Sequence, residues 1–342
     1  MTPERRRILL VRLDGLGDAL ACIPALEGLR RAYPDARFGA LCSPANAALY
    51  SNQRVARIHV YSGGAPQTLV SELRSEAYTD AIVATEEPIG YQLARMSGAP
   101  RRAGFWHRFE KTFKSLWQYV QLTDAVYRPA AWVNEPEHEV AALYRLALRI
   151  GATRPIPDDP RSLRPWIDID ETEGTHGNPP PAAFQITAKI AAGGWDAPAL
   201  ASLIATALAA SPFERAVLLC AAADEGLARA VMEHLEEGAQ RPGAIIFLPP
   251  MRMASWLGSI ASAGALVSPD TGAAHAAGML GVPVVDLFEP ERFAQLSQQW
   301  RPWAAPSRCL VKPAFHAGAA AAFGAELGAA LTEVSRAKRA AS

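Results

Sequence analysis

Arg12-Leu13-Asp14-Gly15-Leu16-Gly17-Asp18-Ala19-Leu20 decides how this chain begins. It follows the apolar run Ile8-Leu9-Leu10-Val11, so it reads as a strand end, a glycine turn and a helix start. The same succession makes the dinucleotide fingerprint G-x-G-x-x-G, but its third glycine falls on Leu20 here. The acid that would hold a ribose after the second strand is also missing near residues 41–44. A nicotinamide or flavin dinucleotide is therefore not expected. What remains is Asp18, a carboxylate on the first helical turn beside two glycines that let a ligand approach the backbone closely. An isolated acid there can equally serve only to offset the helix dipole, so the rest of the chain must decide.

Outward from this segment, short apolar runs alternate with helical patterns. Strands are expected at 8–13, 37–42, 58–61 and 81–84, with helices to about residue 33 and over 67–78. Such alternation predicts an α/β protein with right-handed crossovers and parallel sheets. A helix before Gly151 closes a first domain, residues 1–151. Residues 152–182 are broken by Pro155, Pro157, Pro160, Pro165 and Pro179 to Pro181 and read as a linker. Residues 183–342 repeat the rhythm, with strands at 183–186, 216–220, 245–248, 265–268 and 282–288 and an Ala/Gly-rich terminal helix. Two Rossmann-like domains facing across a cleft are expected, with ligands at the carboxyl ends of the strands.

The second informative segment is Ser268-Pro269-Asp270-Thr271-Gly272-Ala273-Ala274-His275. It also joins a strand to a helix. Asp270 is expected at the N-cap, with the amides of Thr271, Gly272 and Ala273 unpaired, a ready site for a diphosphate. An ordinary cap on a buried small-residue helix is the plainer alternative.

Taken together, the opening I-L-L-V-R-L-x-G-L-G-D-A-L-x-x-x-P-A-L and the later S-P-D-T-G-x-x-H-A-A-x-x-L-G-V-P-V-V resemble the ADP-heptose:lipopolysaccharide heptosyltransferases, an inverting glycosyltransferase family of the GT-B fold. The resemblance implies that Asp18 is the general base that takes a proton from an acceptor hydroxyl as it attacks the anomeric carbon. It places the nucleotide-sugar donor, expected to be ADP-heptose, on the second domain, near Thr187, Lys189, Asp224, Glu225, Asp270, Thr271, Gly272 and His275. The acceptor, an anionic glycolipid such as the lipopolysaccharide inner core, is expected on the first domain, near Arg12, Gly15, Gly17, Arg101, Arg102 and Arg108.

The chain departs from the family at three places. The lysine that contacts the donor phosphates in the family falls on Gly193 here, with Lys189 the nearest substitute. Phe288-Glu289-Pro290-Glu291 replaces Phe-Gly-Pro-Thr and brings two carboxylates toward the expected phosphates, unfavourable unless they turn away or meet a cation. The ribose-binding acid falls near Asp224 and Glu225 without a clear register. Two alternatives follow: a glycosyltransferase of this fold with another nucleotide sugar or acceptor, and a catalytically silent homologue that binds nucleotide sugar or glycolipid.

Residues 101–120 interleave Arg101, Arg102, Arg108, Lys111 and Lys114 with Phe105, Trp106, Phe109, Phe113, Trp117 and Tyr119. This stretch is either a surface for an anionic glycolipid and its membrane or a helix with core aromatics and a solvated basic face. The 34 Lys plus Arg balance 34 Asp plus Glu, so no global field favours nucleic acid. Four scattered cysteines, Cys22, Cys42, Cys220 and Cys309, match neither a zinc site nor a disulfide framework and suit a reducing cytoplasm. No cofactor or metal is expected. No transmembrane segment is expected either, so any membrane contact, at the inner membrane, would be peripheral.

Overall fold

The computed structural model describes residues 5–108, 112–129, 136–172, 178–237 and 244–341. They form two units, Met1–Asp168 and Ile169–Ser342. In the first unit the strands are β1 Arg7–Arg12, β2 Arg37–Cys42, β3 Val55–Val60, β4 Asp80–Val83, β5 Arg101–Trp106 and β6 Asp124–Tyr127. They pair in parallel in the order β3-β2-β1-β4-β5-β6. The second unit contains β7 Ala182–Ile186, β8 Ala216–Cys220, β9 Ile245–Phe247, β10 Ala265–Pro269, β11 Val284–Phe288 and β12 Ser307–Val311. Its order, β12-β11-β10-β7-β8-β9, is again all parallel and is the same order counted from its own first strand.

In each sheet the strand order reverses beside the first strand, between β1 and β4 and between β7 and β10. Connections leave toward opposite faces at such a point, which opens a crevice beyond the carboxyl ends of the strands. The continuous apolar character of Ile8 to Val11 follows from burial on both faces of the sheet.

The helix expected to run to about residue 33 is divided. Leu16–Ala21 ends at Cys22, and Ile23–Ala32 begins afresh with a proline in its first turn, since Pro24 has no N–H with which to continue the earlier helix. Within the stretch read as a linker, Trp166 is fully buried. Its indole donates to the Glu27 carboxylate at 3.0 Å, and its ring meets Phe38 edge-on at 5.1 Å. Residues up to Asp168 accordingly count with the first unit.

The Ala/Gly-rich tail forms the helix Ala319–Ala341, whose Phe323, Leu327, Leu331 and Val334 join Phe184, Leu203 and Leu218 in the core of the second unit. Its glycines permit a close approach to the helix Ala197–Ala209. A Cβ at Gly324 would stand 2.6 Å from Thr206 Cβ, and one at Gly328 only 2.5 Å from Ala210 Cβ, distances that real side chains do not tolerate. Among the described residues no helix is long and apolar enough to cross a membrane.

Candidate functional site

In the first unit the chain leaves β1 at its carboxyl end through the glycine turn. Gly15 takes the N-cap position of the helix Leu16–Ala21, Gly17 follows inside it, and Asp18 lies on its first turn. Arg12, the last residue of β1, is buried. Its guanidinium donates to the Asp18 carboxylate and to the Ala84 carbonyl beyond β4, and its Nε lies 3.3 Å from Asp14. Burial works against this charge, but the neighbouring Cys22, Asp18, Asp14 and Glu139 outweigh it and raise its pKa. Arg12 is thus spent on holding Asp18 rather than offered to a ligand. The Asp18 side chain remains 32% exposed. Burial raises its pKa, Asp14 and Glu139 add to that, and Arg12 opposes them. The result is an accessible carboxylate with a stronger-than-usual affinity for a proton.

A residue that the sequence did not mark completes this edge. Asn46, fully buried after β2, donates through Nδ2 to the carbonyls of Arg12 at 3.2 Å and Asp14 at 2.8 Å. It fixes the turn from beneath, and nothing in Ser43-Pro44-Ala45-Asn46 announces that role. A second ion pair, buried Glu139 with half-buried Arg128 at 2.5 Å, adds the nearby carboxylate charge that Asp18 feels.

The other three arginines expected at the acceptor divide. Arg101 and Arg102 open β5 at its amino end, away from the glycine turn. Arg101 donates to the carbonyls of Arg149 and Ile150, and Arg102 to those of Gln121 and Ala99. Both therefore cap backbone groups at the far end of the sheet, because a six-residue strand separates its two ends by about 16 Å. Arg108, past the carboxyl end of β5, lies over the Tyr127 ring at 4.3 Å on the same edge as Asp18.

The adjoining helix Thr112–Tyr119 is turned inside out relative to an ordinary amphipathic helix. Ser115 and Gln118 are buried, while Phe113 at 90% exposure, Leu116, Trp117, Tyr119 and Val120 face outward. The alternative of core aromatics holds for Phe105 but not for this helix. Phe109, Glu110 and Lys111 lie outside the described residues.

In the second unit Thr187 takes the N-cap position after β7, with its hydroxyl unpartnered among the described residues. The Ala188 amide donates to Asp224 at 2.8 Å, which brings Asp224 to this edge. Glu225 instead pairs with Arg229 on its own helix at 2.6 Å. Lys189 donates to the Asp270 carbonyl at 2.5 Å and lies 3.7 Å from its carboxylate. His275 Nε2 is 3.6 Å from the other Asp270 oxygen, and its ring packs on Trp300.

The N-cap of the helix Gly272–Met279 is Thr271, not Asp270 as expected. Thr271 has the extended backbone of a cap, and its hydroxyl accepts from the Ala273 amide at 3.4 Å and meets Ser268 Oγ at 3.0 Å. Asp270 is occupied by Lys189 and His275. The Ala273 amide is consequently partnered, which leaves the N–H groups of Thr271 and Gly272 without one among the described residues.

The remaining departures meet their own partners. Glu289 lies 3.3 Å from the Lys312 ammonium, and Glu291 is exposed. Beneath the edge, Asp286 on β11 is fully buried with neither oxygen hydrogen-bonded among the described residues. Burial first and the Asp270 carboxylate second push its pKa well above the carboxylate range. Among the described residues no group of three or more His, Cys, Asp or Glu could hold a metal ion.

A family model for glycosyltransferase family 9 (heptosyltransferase) matches residues 67–320, more than half of the chain. No curated protein matches by sequence. Among solved structures, the fold is similar to that of E. coli ADP-heptose lps heptosyltransferase II, with a TM-score of 0.73, 17% identity and coverage of 97% of this chain and 99% of the other. A glycosyl transferase family 9 structure from Veillonella parvula gives 0.73 at 17% identity over 98% and 99%. E. coli heptosyltransferase WaaC with ADP gives 0.67 at 19% over 98% of each chain. At these identities the structures speak for the fold, and the family model speaks for the lineage: the chain belongs to glycosyltransferase family 9 and is a glycosyltransferase.

Proposed function

We propose that this chain transfers a heptose from ADP-heptose to a glycolipid acceptor such as the inner core of lipopolysaccharide, with Asp18 as general base. The observation that carries the reading is the Asp18 carboxylate, held accessible at the edge of the first sheet by a buried arginine, with its proton affinity raised. In the proposed step the acceptor hydroxyl forms a bond to the anomeric carbon, the bond from that carbon to the diphosphate oxygen breaks, and the proton passes to Asp18. One displacement inverts the centre and releases ADP. The free amides of Thr271 and Gly272 are suited to the charge that develops on the leaving diphosphate, and the unpartnered Thr187 hydroxyl adds a donor nearby. That WaaC of E. coli, similar in fold, holds ADP supports an adenine nucleotide as donor.

For the acceptor, the support is the outward apolar face of the helix Thr112–Tyr119 with Arg108 and Lys114 beside it, a combination fitted to an anionic lipid surface. The reading places the protein at the cytoplasmic face of the inner membrane. The test is a transfer assay with ADP-heptose and a heptose-free core glycolipid, run beside calorimetry with ADP. Transfer supports the reading. Binding of ADP without transfer favours a silent homologue, and transfer from another nucleotide sugar alone favours the alternative donor to which Gly193 and Glu289 point.

A further inference from the structure

The carboxyl edge of the second sheet carries an ammonium group besides that of Lys189. Lys312 directly follows β12, and its side chain is only 3% exposed. Its Nζ donates to the Ala192 carbonyl at 2.5 Å and lies 3.3 Å from Glu289 Oε1. Its backbone N–H donates to the Phe288 carbonyl at 2.8 Å. The loops that follow β7, β11 and β12 therefore meet at one positive charge. Gly193 and Gly194, both with left-handed backbones, pass close to this charge: a Cβ built on Gly193 would stand in ordinary contact with Lys312 Nζ at 3.8 Å.

An ammonium has three N–H donors, and the carbonyl and carboxylate account for two of them. Burying a lysine is costly, and an apolar side chain in its place would often be as stable or more so. A buried lysine where the loops of the proposed donor edge meet therefore points to use. Its partner is different in kind: the Glu289 side chain is 40% exposed and reaches solvent.

We propose that Lys312 is a diphosphate-binding cation of this edge, and that Glu289 is its resident counter-ion, displaced when a nucleoside diphosphate binds. The proposal rests on the reading of the second unit as the donor-binding unit. One anion replaces another at the same ammonium, so the lysine is never left buried and unpaired. Lys189, half exposed and engaged by Asp270, plays the lesser part.

The test is calorimetry on the full chain with ADP, UDP, GDP and CDP and with the corresponding nucleosides. If the wild-type protein binds no nucleoside diphosphate, the donor reading and this proposal fall together. Where it binds one, Lys312→Met is expected to weaken that diphosphate by about tenfold or more, with nucleoside affinity unchanged. Glu289→Gln, which removes the competing anion, is expected to tighten it. Lys312→Arg, which keeps a cation at this place, is expected to retain binding. Wild-type diphosphate affinity in Lys312→Met would overturn the proposal while leaving the donor reading intact. Equal loss of diphosphate and nucleoside, or weaker diphosphate binding in Glu289→Gln, would also overturn it, by reducing the pair to a structural clasp.

Discussion

The two sheets share one strand order, yet their edges and interiors carry opposite chemistry. At the first edge an accessible carboxylate, Asp18, is anchored by a buried guanidinium. At the second, a helix begins with small residues, the Thr271 and Gly272 amides unpartnered among the described residues, near two lysine–carboxylate pairs. The interiors differ in the same way. Glu27 in the first unit is buried but fully engaged by Arg30, Arg31 and Trp166. Burial would raise its pKa, but those hydrogen bonds prevail and lower it. Asp286 in the second unit is buried with neither oxygen meeting a geometric hydrogen-bond partner among the described residues, and its pKa is raised. A shared topology thus sets where ligands bind, and the side chains on its loops set what can be done there.

The sharpest way to break this contrast is Asp18→Asn. Loss of a general base is expected to cost about 100- to 10,000-fold in transfer rate, with nucleoside diphosphate affinity nearly unchanged. Wild-type turnover would remove Asp18 from the chemistry, and loss of nucleotide binding would erase the division of labour between the units.

Next in size is Trp166→Ala. Removing a fully buried indole should destabilise the chain by about 3–5 kcal/mol in chemical denaturation, and the loss should appear in the transition of the first unit. A neutral result would detach the proline-rich stretch from that unit.

The buried acids predict pH slopes of opposite sign. Glu27 is held below its ordinary value of 4.5, so its contribution is complete above that pH and fades as pH falls. Asp286 is held above its ordinary value of 3.8, so its contribution is complete below that pH and is lost as pH rises toward its folded value. Asp286→Asn should therefore gain on the wild type by up to about 1.4 kcal/mol for each pH unit across that window. Parallel stability profiles for the two proteins would show that Asp286 ionises in the folded state as freely as in the unfolded one.

Smaller still is Lys189→Ala, expected to change folding stability by less than about 0.5 kcal/mol because its pair with Asp270 is half exposed. Its effect on diphosphate affinity should fall below that of Lys312→Met, and the reverse ranking would restore Lys189 as the main cation. Chelation by EDTA is expected to leave transfer unchanged if, as proposed, amides and lysines meet the diphosphate. Loss of activity restored by magnesium would reject that account.

Both glycine-bearing strand ends were legible in the sequence, because a turn, a cap and the first helical turn are decided by residues within a few positions of each other. Asp18 and the Thr271-Gly272 start could be located for that reason, and so could the parallel α/β plan from its alternating runs. The N-cap is Thr271 and not Asp270, whose carboxylate instead meets Lys189, 81 residues earlier in the chain, and His275. Arg101 and Arg102 read as a basic cluster until the sheet assigned them to the amino end of β5. Asn46 beneath the glycine turn and Lys312 against Ala192 join segments 34 and 120 residues apart. No local pattern encodes such pairs, because they exist only once parallel strands, each separated from its neighbour by a crossover helix or loop, bring their carboxyl ends to a common edge.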